Sequence, residues 1–165
     1  GNKTTTRPNK NLYVALSKLQ PEIENYVEKN ESSWRKNSQN ETRKYLKEGL
    51  KDRAVTRNLD WGVEIPIEGY KDKRMYVWID AVLGYITTAM RYCEENGLNR
   101  ENWWKENKEN ENRISMVHGK DNIMFHTLIL PGLLIGAKDN YLLPDKIVST
   151  EYLNFNDTFI LGYDT

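Results

Sequence analysis

The stretch from Met116 to His126 constrains the fold of this chain more than any other. It predicts the end of a buried strand, a tight turn at Gly119 and the first turns of a helix. In an α/β sheet, ligands bind at this kind of junction, outside the carboxyl ends of the strands. Gly119 allows a sharp turn or a close backbone approach. Asp121 stands at the N-cap of a helix start that favours anionic groups. An equally open alternative makes Asp121 only a helix cap and His126 only a core histidine.

Composition excludes several classes of protein. The 165 residues suffice for one domain with a hydrophobic core. A content of 38% hydrophobic and 29% charged residues is typical of a soluble globular chain. No apolar run approaches a membrane span and no signal peptide opens the sequence. A single cysteine allows no internal disulfide, so we expect a reducing, cytoplasmic setting. Because Cys93 is the only cysteine and there are two histidines, a Cys/His zinc site cannot be assembled. We expect no metal site in this chain.

The net charge of zero conceals two halves of opposite sign. Residues 1–57 hold 13 Lys and Arg against 7 Asp and Glu, whereas residues 58–165 hold 11 against 17. A basic front half is typical of a surface that meets a polyanion such as RNA. It is equally compatible with a helical surface that docks on the acidic half of the same chain, and the sequence leaves both interpretations open.

Two helices are predicted in the front half. The short apolar set before Pro21 indicates a strand or its exit, and Pro21 suits the first position of the first helix. The second helix is predicted from Trp34 to Leu50, with cations crowding its polar face. Residues 51–69 form an irregular connector. Within it, Arg57 is either a surface residue or the partner of a buried carboxylate.

Residues 74–81 are the clearest strand candidate, because they are rich in β-branched and aromatic side chains. A period of two places Trp78 and Asp80 on one face, so that an aromatic ring and a carboxylate emerge together at the carboxyl end. A helix is predicted over residues 83–96, with Tyr85 in its first turn. A Trp and a Tyr in such positions belong to a core more often than to a pocket.

The last third of the chain predicts a βαβ unit. Residues 127–135 continue the helix that follows Gly119, and Pro131 forces a kink or a break in it. Residues 147–153 form another buried strand. A helix between two strands in this order predicts a parallel sheet. The expected fold class is therefore α/β, with a helical segment in front.

Four segments, in this order and at this spacing, resemble the methionyl-tRNA synthetases, a family of class I aminoacyl-tRNA synthetases. The segments, within a resemblance that runs from about Lys3 to Asp157, are Thr56–Gly62, Tyr76–Tyr85, His118–Thr127 and Leu143–Lys146. Four ordered motifs are far more specific than one alone. The resemblance implies that residues 51–165 form the second half of the Rossmann-like catalytic domain. It further implies that residues 1–50 are the end of the inserted connective peptide and the helices that return to the core.

The resemblance also implies a reaction and a set of roles. Methionine and ATP, the latter as its Mg²⁺ complex, would give methionyl-adenylate and pyrophosphate, and the methionyl group would pass to the 3′ end of tRNA. Gly119 and Asp121 match the ATP-site turn, where the carboxylate meets the ribose. Arg57 matches an arginine that pairs with an acidic residue of the other half-domain. The residues that match the lining of the methionine pocket are Trp78, Ala81, Tyr85, Phe125 and His126.

The chemistry of these side chains agrees with the implied roles. A thioether is apolar, polarizable and a weak acceptor, so its pocket needs aromatic walls and one or two donors. Trp78 and Phe125 would supply walls, and Tyr85 and His126 would contact the sulfur. Because the methionine carboxylate itself attacks the α-phosphate, no catalytic residue is expected in this chain. Catalysis would come from positioning and charge stabilisation.

Several features depart from the family's pattern. Val82 stands where Pro is usual and Leu130 where Trp is usual, both near the expected methionine pocket, and Asn58 replaces a common Asp. The His-Ile-Gly-His and Lys-Met-Ser-Lys-Ser signatures, which stabilise the ATP phosphates, do not occur in this sequence. We therefore expect this chain alone to form no adenylate at a useful rate, the rest of a synthetase being needed to complete the site. The alternative is a non-catalytic, synthetase-derived module that binds RNA or a protein partner.

Overall fold

The structure, a computed structural model, describes residues 9–106, 112–155 and 158–159. Its strands and α-helices, in chain order, are β1 (Tyr13–Val14), α1 (Leu16–Asn30), α2 (Lys36–Glu48), β2 (Arg53–Ala54), β3 (Thr56–Arg57), β4 (Arg74–Met75), α3 (Val77–Glu95), α4 (Glu101–Trp104), β5 (Ser115–Gly119), α5 (Leu130–Ala137), β6 (Lys146–Thr150), β7 (Asn154–Phe155) and β8 (Thr158–Phe159). The expected division into residues 1–50 and 51–165 begins and ends outside the described residues. Its boundary at residue 50 stays a prediction. Within the described ranges, no helix is long and apolar enough to cross a membrane.

The parallel sheet predicted from the sequence is confirmed by the pairing of β5 with β6. The two strands run side by side from Ser115 opposite Lys146 to Gly119 opposite Thr150. The helical segment between them completes the βαβ unit, so both strands end at the same edge of the sheet. Every residue of the two strands is thereby fixed in register, and the chain that follows Gly119 starts at the edge where α/β proteins bind ligands.

The hydrophobic core lies between α1, α5 and the β5–β6 pair. Leu16 and Ile23 point from one face of α1 into this core, two turns apart. Leu130 and Ile147 meet them there and have no exposed surface at all. Gly132 permits the close approach of α5, because a Cβ at that position would lie 2.7 Å from Cδ2 of Leu16 and 3.2 Å from Cδ1 of Ile23.

Buried hydroxyl groups attach α2 to this core. The hydroxyl oxygens of Ser38 on α2 and Ser149 on β6 lie 2.6 Å apart. One turn further along α2, Thr42 donates to the hydroxyl of Thr127 over 2.9 Å, and Thr127 donates to the carbonyl of Ile123. These bonds satisfy polar groups that would otherwise be costly to bury. The second predicted helix is thus confirmed, two residues shorter at each end than the sequence indicates.

The strand predicted over residues 74–81 is wrong. Only Arg74 and Met75 pair as a strand, with β3, and α3 begins at Val77. The buried positions here, Ile79 within the segment and Val82 just after it, are three residues apart, which is a helical spacing rather than an alternation. The β-branched and aromatic content that favours a strand is therefore overridden by which residues reach the core.

The first helix also begins earlier than predicted. It starts at Leu16 and contains Pro21 in its second turn rather than at its first position. Pro21 removes one backbone donor from the helix. The burial of Leu16 on one side of it and Ile23 on the other holds the helix continuous through that position.

Candidate functional site

One stripe of α3 carries three of the predicted site residues. Trp78, Ala81 and Tyr85 are spaced three and four residues apart, so they lie on one face of the helix. All three are exposed; Trp78 keeps 46% and Tyr85 42% of its accessible surface. In the strand predicted from the sequence, Ala81 would have faced away from Trp78. The helix therefore groups the three residues more closely than the sequence-based prediction did.

The other two residues predicted to line the methionine pocket, Phe125 and His126, face this stripe from a π-helical turn, Phe125–Ile129, which leads into α5. The centroids of the Trp78 and Phe125 rings lie 5.4 Å apart, and those of the Tyr85 and His126 rings 5.7 Å apart. The break predicted at Pro131 takes the form of a change from π- to α-helix just before it. Segments of π-helix occur frequently at functional sites. We call Trp78, Ala81, Tyr85, Phe125 and His126 the aromatic cluster.

The hydrogen bonds of His126 fix where its proton lies. Its Nδ1 is 2.8 Å from the carbonyl oxygen of Asn122, which can only accept, so Nδ1 carries the hydrogen. In a neutral ring Nε2 is then an acceptor, and the Tyr85 hydroxyl donates to it over 2.9 Å. Neither side chain keeps a free hydrogen for a ligand. The expectation that this pair supplies one or two donors to a sulfur atom does not fit this arrangement.

The protonation state of His126 follows from its burial. Only 4% of the residue is exposed, and burial is the main reason why its pKa is lowered to about 4. The bond to Asn122 opposes this shift and the nearby His118 reinforces it. His126 is therefore neutral at physiological pH and keeps the acceptor role that the Tyr85 hydroxyl requires.

His118 joins the cluster although no sequence pattern indicated a role for it. Its ring stacks on that of His126, with centroids 4.2 Å apart and planes inclined by 15°. Its Nδ1 is 2.9 Å from the carbonyl oxygen of Gly119 and donates to it. The Nε2 atom is buried without a hydrogen-bond partner in the described part of the chain, and burial lowers the pKa of the ring. The only sequence signal was its place at the carboxyl end of a strand.

Asp121 does not act as the predicted N-cap. It lies inside a 3₁₀ turn, Lys120–Asn122, and its carboxylate accepts a hydrogen bond from the Tyr152 hydroxyl. That bond raises the pKa of Tyr152. Lys120 lies over the Tyr152 ring, 4.2 Å from its centroid, and pairs with Glu151 over 2.9 Å. The carboxyl edge of the β5–β6 pair therefore carries charged groups of both signs.

Gly119 does not need the conformational freedom of glycine in this structure. Its φ of −71° is open to any residue, and an added Cβ would meet no atom within 4 Å. The space in front of it is empty. A cleft of about 520 Å³ lies beside Asp121 and is lined by Asn37, Asn40, Glu41, Tyr45, Lys120, Asp121, Ile123, Met124 and Glu151. The aromatic cluster stands outside this cleft, on the open face of α3.

Arg57 contacts the start of α3 rather than a carboxylate. Its guanidinium lies over the Tyr76 ring, 4.1 Å from the centroid, and its Nη1 donates to the carbonyls of Ala54 and Thr56 over 2.9 Å each. No ion pair of Arg57 exists among the residues that the structure describes. Arg57 and Asp80 both line a second cleft of about 450 Å³.

Two of the three departures from the family pattern lie in the core and the third contacts a buried lysine. Val82 keeps 3% of its surface and Leu130 none, and both belong to the hydrophobic core. They are not on the exposed stripe of α3, so they reach the aromatic cluster only through packing. Asn58 accepts a hydrogen bond from Lys73, whose ammonium group also donates to Asn9 over 2.6 Å.

The opposite charges of the two halves do not meet in ion pairs. Each ion pair in the described ranges joins residues of the same half; Arg43 with Glu31 and Lys120 with Glu151 are examples. The cations of α2 stay exposed: Lys36, Arg43, Lys44 and Lys47. The interpretation in which the basic half docks on the chain's own acidic half therefore finds no support in ion pairing.

Comparison with known proteins identifies the relatives of this chain. The family described as tRNA synthetases class I (M) matches residues 1–160. The chain is 46% identical over 155 residues to methionine–tRNA ligase 1 of Alkaliphilus oremlandii, covering 93% of this chain and 27% of that protein. It is 39% identical over 153 residues to the cytoplasmic methionine–tRNA ligase of Xenopus laevis, covering 92% and 16%.

A solved structure agrees with these relatives. The methionyl-tRNA synthetase of Mycobacterium tuberculosis bound by methionyl-adenylate superposes with a TM-score of 0.66 at 28% identity, over 84% of this chain and 25% of that one. Its apo form gives a TM-score of 0.67 at 27% identity, over 85% and 26%. The chain thus spans from 16% to 27% of the length of the synthetases named above. It belongs to the methionyl family of class I tRNA synthetases.

Proposed function

We propose that this chain supplies the methionine-binding face and a nucleotide contact of a methionine–tRNA ligase. The observation that carries the proposal is the aromatic cluster, in which two rings of α3 each meet a ring of the π-helical turn. Exposed aromatic rings offer a thioether a polarizable surface. The family membership and the methionyl-adenylate bound in the Mycobacterium tuberculosis relative both support methionine as the ligand.

The reaction needs no nucleophile from the protein. A carboxylate oxygen of methionine attacks the α-phosphorus of ATP, and the bond to the bridging β-phosphate oxygen breaks to release pyrophosphate. A hydroxyl of the terminal tRNA ribose then attacks the carbonyl carbon of the adenylate, with AMP as the leaving group. The contribution of this chain is to hold the side chain and the nucleotide in place, which by itself accounts for a large share of such catalysis.

Asp121 is the proposed contact for the ribose of ATP, which enters as its Mg²⁺ complex. Its carboxylate accepts from the Tyr152 hydroxyl, and ribose hydroxyl groups are donors that can share or replace that bond. The empty space in front of Gly119 leaves room for a sugar to approach the backbone. Both residues stand at the carboxyl edge of the parallel strands, where nucleotides bind in α/β folds.

We also propose that further polypeptide completes the site and that this chain alone forms no adenylate. Val117, on β5, leaves 72% of its surface exposed, an unusual value for an apolar residue in a strand of an α/β sheet. Arg57, which has no carboxylate partner in the described residues, would find one there. The setting would be cytoplasmic protein synthesis.

Methionine-dependent exchange of pyrophosphate into ATP, measured on the complete polypeptide that contains this chain, tests the proposal. We expect exchange with methionine and not with leucine. His126→Ala should weaken discrimination against norleucine, the isostere that lacks sulfur, because Tyr85 then loses its partner. Absence of exchange in the complete polypeptide would contradict the proposed activity, and unchanged discrimination would remove His126 from the pocket.

A second candidate function is favoured by the exposed cations of α2, which pair with no acidic residue in the described part of the other half. In this case the chain is a non-catalytic module that binds RNA or a protein partner. Salt-sensitive tRNA binding in the absence of exchange activity would support it, because contacts with phosphates release counterions. Exchange activity that depends on the aromatic cluster would speak against it.

A further inference from the structure

We infer that His118 is a positioning residue for ligand selection, because its stacked ring holds the plane of His126 and so keeps Nε2 of His126 in line with the Tyr85 hydroxyl. The inference rests on the proposed function and deepens it. It assigns a property to the proposed pocket: the Tyr85–His126 edge presents lone pairs and no free hydrogen. A pocket of that polarity accepts a thioether and rejects a side chain that ends in a strong acceptor.

The His126 ring is held by three neighbours. His118 is tied to the end of β5 by its Nδ1–H bond to Gly119, and it covers one face of the His126 ring at a centroid distance of 4.2 Å. The two edges of the His126 ring are held by Asn122 at Nδ1 and by Tyr85 at Nε2. Without the stack, one face of the His126 ring would lose the neighbour that holds its plane, and the ring could turn out of line with the Tyr85 hydroxyl.

Charge repulsion between the two imidazoles helps to keep His126 neutral. Among the described residues, the titratable side chains in contact with the His126 ring are His118 from β5 and Tyr85 from α3. Two imidazoles in parallel contact cannot both carry a positive charge without strong repulsion. His118 accordingly lowers the pKa of His126, in addition to the larger effect of burial. Both effects keep Nε2 of His126 an acceptor.

The Tyr85–His126 edge offers a ligand hydrogen-bond acceptors and no donor. Tyr85 donates its one hydroxyl hydrogen to Nε2 of His126. Its hydroxyl oxygen can therefore accept a hydrogen bond from a ligand but has no hydrogen left to donate. The buried Nε2 of His118, unpartnered within the described ranges, is a further acceptor. A thioether needs no donor, and its methyl hydrogens tolerate oxygen lone pairs. A sulfoxide oxygen is a strong acceptor and would be left without a donor at this edge.

The experiment compares methionine with methionine sulfoxide in pyrophosphate exchange by the complete polypeptide. His118→Ala removes the stack, and His118→Phe keeps a flat ring over His126. Ser115→Ala, on the same strand, is the matched control. We expect His118→Ala to lower the ratio of kcat/KM for methionine over the sulfoxide on the order of 10-fold, mainly through KM. His118→Phe should keep most of the ratio, and the KM for ATP should stay unchanged in all three variants.

The pH profile adds a readout that a purely structural role would not move. In the wild type we expect the methionine KM to be constant down to about pH 5, since His126 stays neutral. In His118→Ala, solvent reaches His126 and a change should appear near its ordinary pKa of about 6.5. An unchanged selectivity ratio in His118→Ala, or an equal loss in His118→Phe, would overturn the inference.

Imidazole ¹⁵N spectra of the wild-type polypeptide separate this inference from the proposed function. They should show hydrogen on Nδ1 of His126 and none on its Nε2. If exchange activity is absent but this tautomer is found, the proposed function fails while the fixed bond direction stands. If Nε2 of His126 carries hydrogen at neutral pH, the inference is overturned, even where His118→Ala fails to fold.

Discussion

The two sides of this molecule treat their large apolar side chains in opposite ways. Where α1, α5 and β6 meet, Leu130 and Ile147 have no exposed surface. On α3 and β5, Trp78 keeps 46% of its surface exposed, Tyr85 42% and Val117 72%. We call these the closed side and the open side. The contrast separates residues that hold the fold from residues available for binding, because contiguous exposed apolar groups mark interaction sites.

The largest expected effect tests the closed side. Leu130→Ala should lower the free energy of unfolding by about 4 kcal/mol, since it removes buried methyl groups and leaves a cavity. Leu153→Ala makes the same chemical change at a residue with 75% of its surface exposed and should cost less than about 0.5 kcal/mol. Urea denaturation measures both. Equal losses of unfolding free energy in the two variants would contradict the difference in burial between Leu130 and Leu153.

Acid should lower the free energy of unfolding through His126, the buried side chain that packs against Tyr85 and His118. The unfolded chain takes up this proton near pH 6.5, whereas the folded chain does so only near the lowered pKa of about 4. Stability should therefore fall as the pH drops through this window, by about 3 kcal/mol in total. The measurement is urea denaturation at several pH values. His126→Gln should flatten the dependence, and an equal slope in this variant would assign the loss to other groups.

Two glycines test the difference in packing between the closed side and the open side. Gly132→Ala, on the closed side, forces a Cβ to 2.7 Å from Leu16 and should destabilise the protein by about 2 kcal/mol. Gly84→Ala, on α3, meets no atom within 4 Å and should stabilise its helix by about 0.5 to 1 kcal/mol. Thermal unfolding reports the sign of each change. Destabilisation by Gly84→Ala would mean that the open side is packed more tightly than described.

The smallest effect concerns Lys73, which keeps 5% of its surface exposed. Its ammonium group donates to Asn9 and Asn58, and no ion pair compensates its charge in the described residues. Asn58→Asp, which restores the residue common in the family, should add about 1 kcal/mol because a charged acceptor makes a stronger bond. Asn58→Ala should have the opposite sign in the same denaturation assay. A loss of stability in Asn58→Asp would contradict this.

The sequence predicted the closed side better than the open side. The βαβ unit and α2 follow from apolar spacing, which reports directly on burial. Residues 74–81 were mistaken for a strand because β-branched and aromatic content dominated over the three-residue spacing of the two positions that reach the core. The motif that grouped Trp78 with Tyr85 was informative even so, since it depends on identity and order rather than on element type.

Two features of the candidate site depend on distances that no sequence pattern encodes. The stack of His118 on His126 joins the end of a strand to a helix seven residues later. The engagement of the Tyr85 hydrogen depends on which nitrogen of His126 faces Asn122. Residue types alone indicated donors at this edge, and only the geometry indicates acceptors. Asp121 was expected to cap a helix for the same reason: its neighbour Tyr152 comes from the far end of the chain.

The most direct test of the central claim asks where methionine binds. Methionine labelled with ¹³C at its methyl group is added to the complete polypeptide, and nuclear Overhauser contacts of the bound methyl are recorded. We predict an upfield methyl shift and contacts with ring protons of Trp78 and Phe125 on the open side. Contacts confined to the cleft beside Asp121, such as with Tyr45 or Ile123, would contradict the assignment of the aromatic cluster as the methionine site.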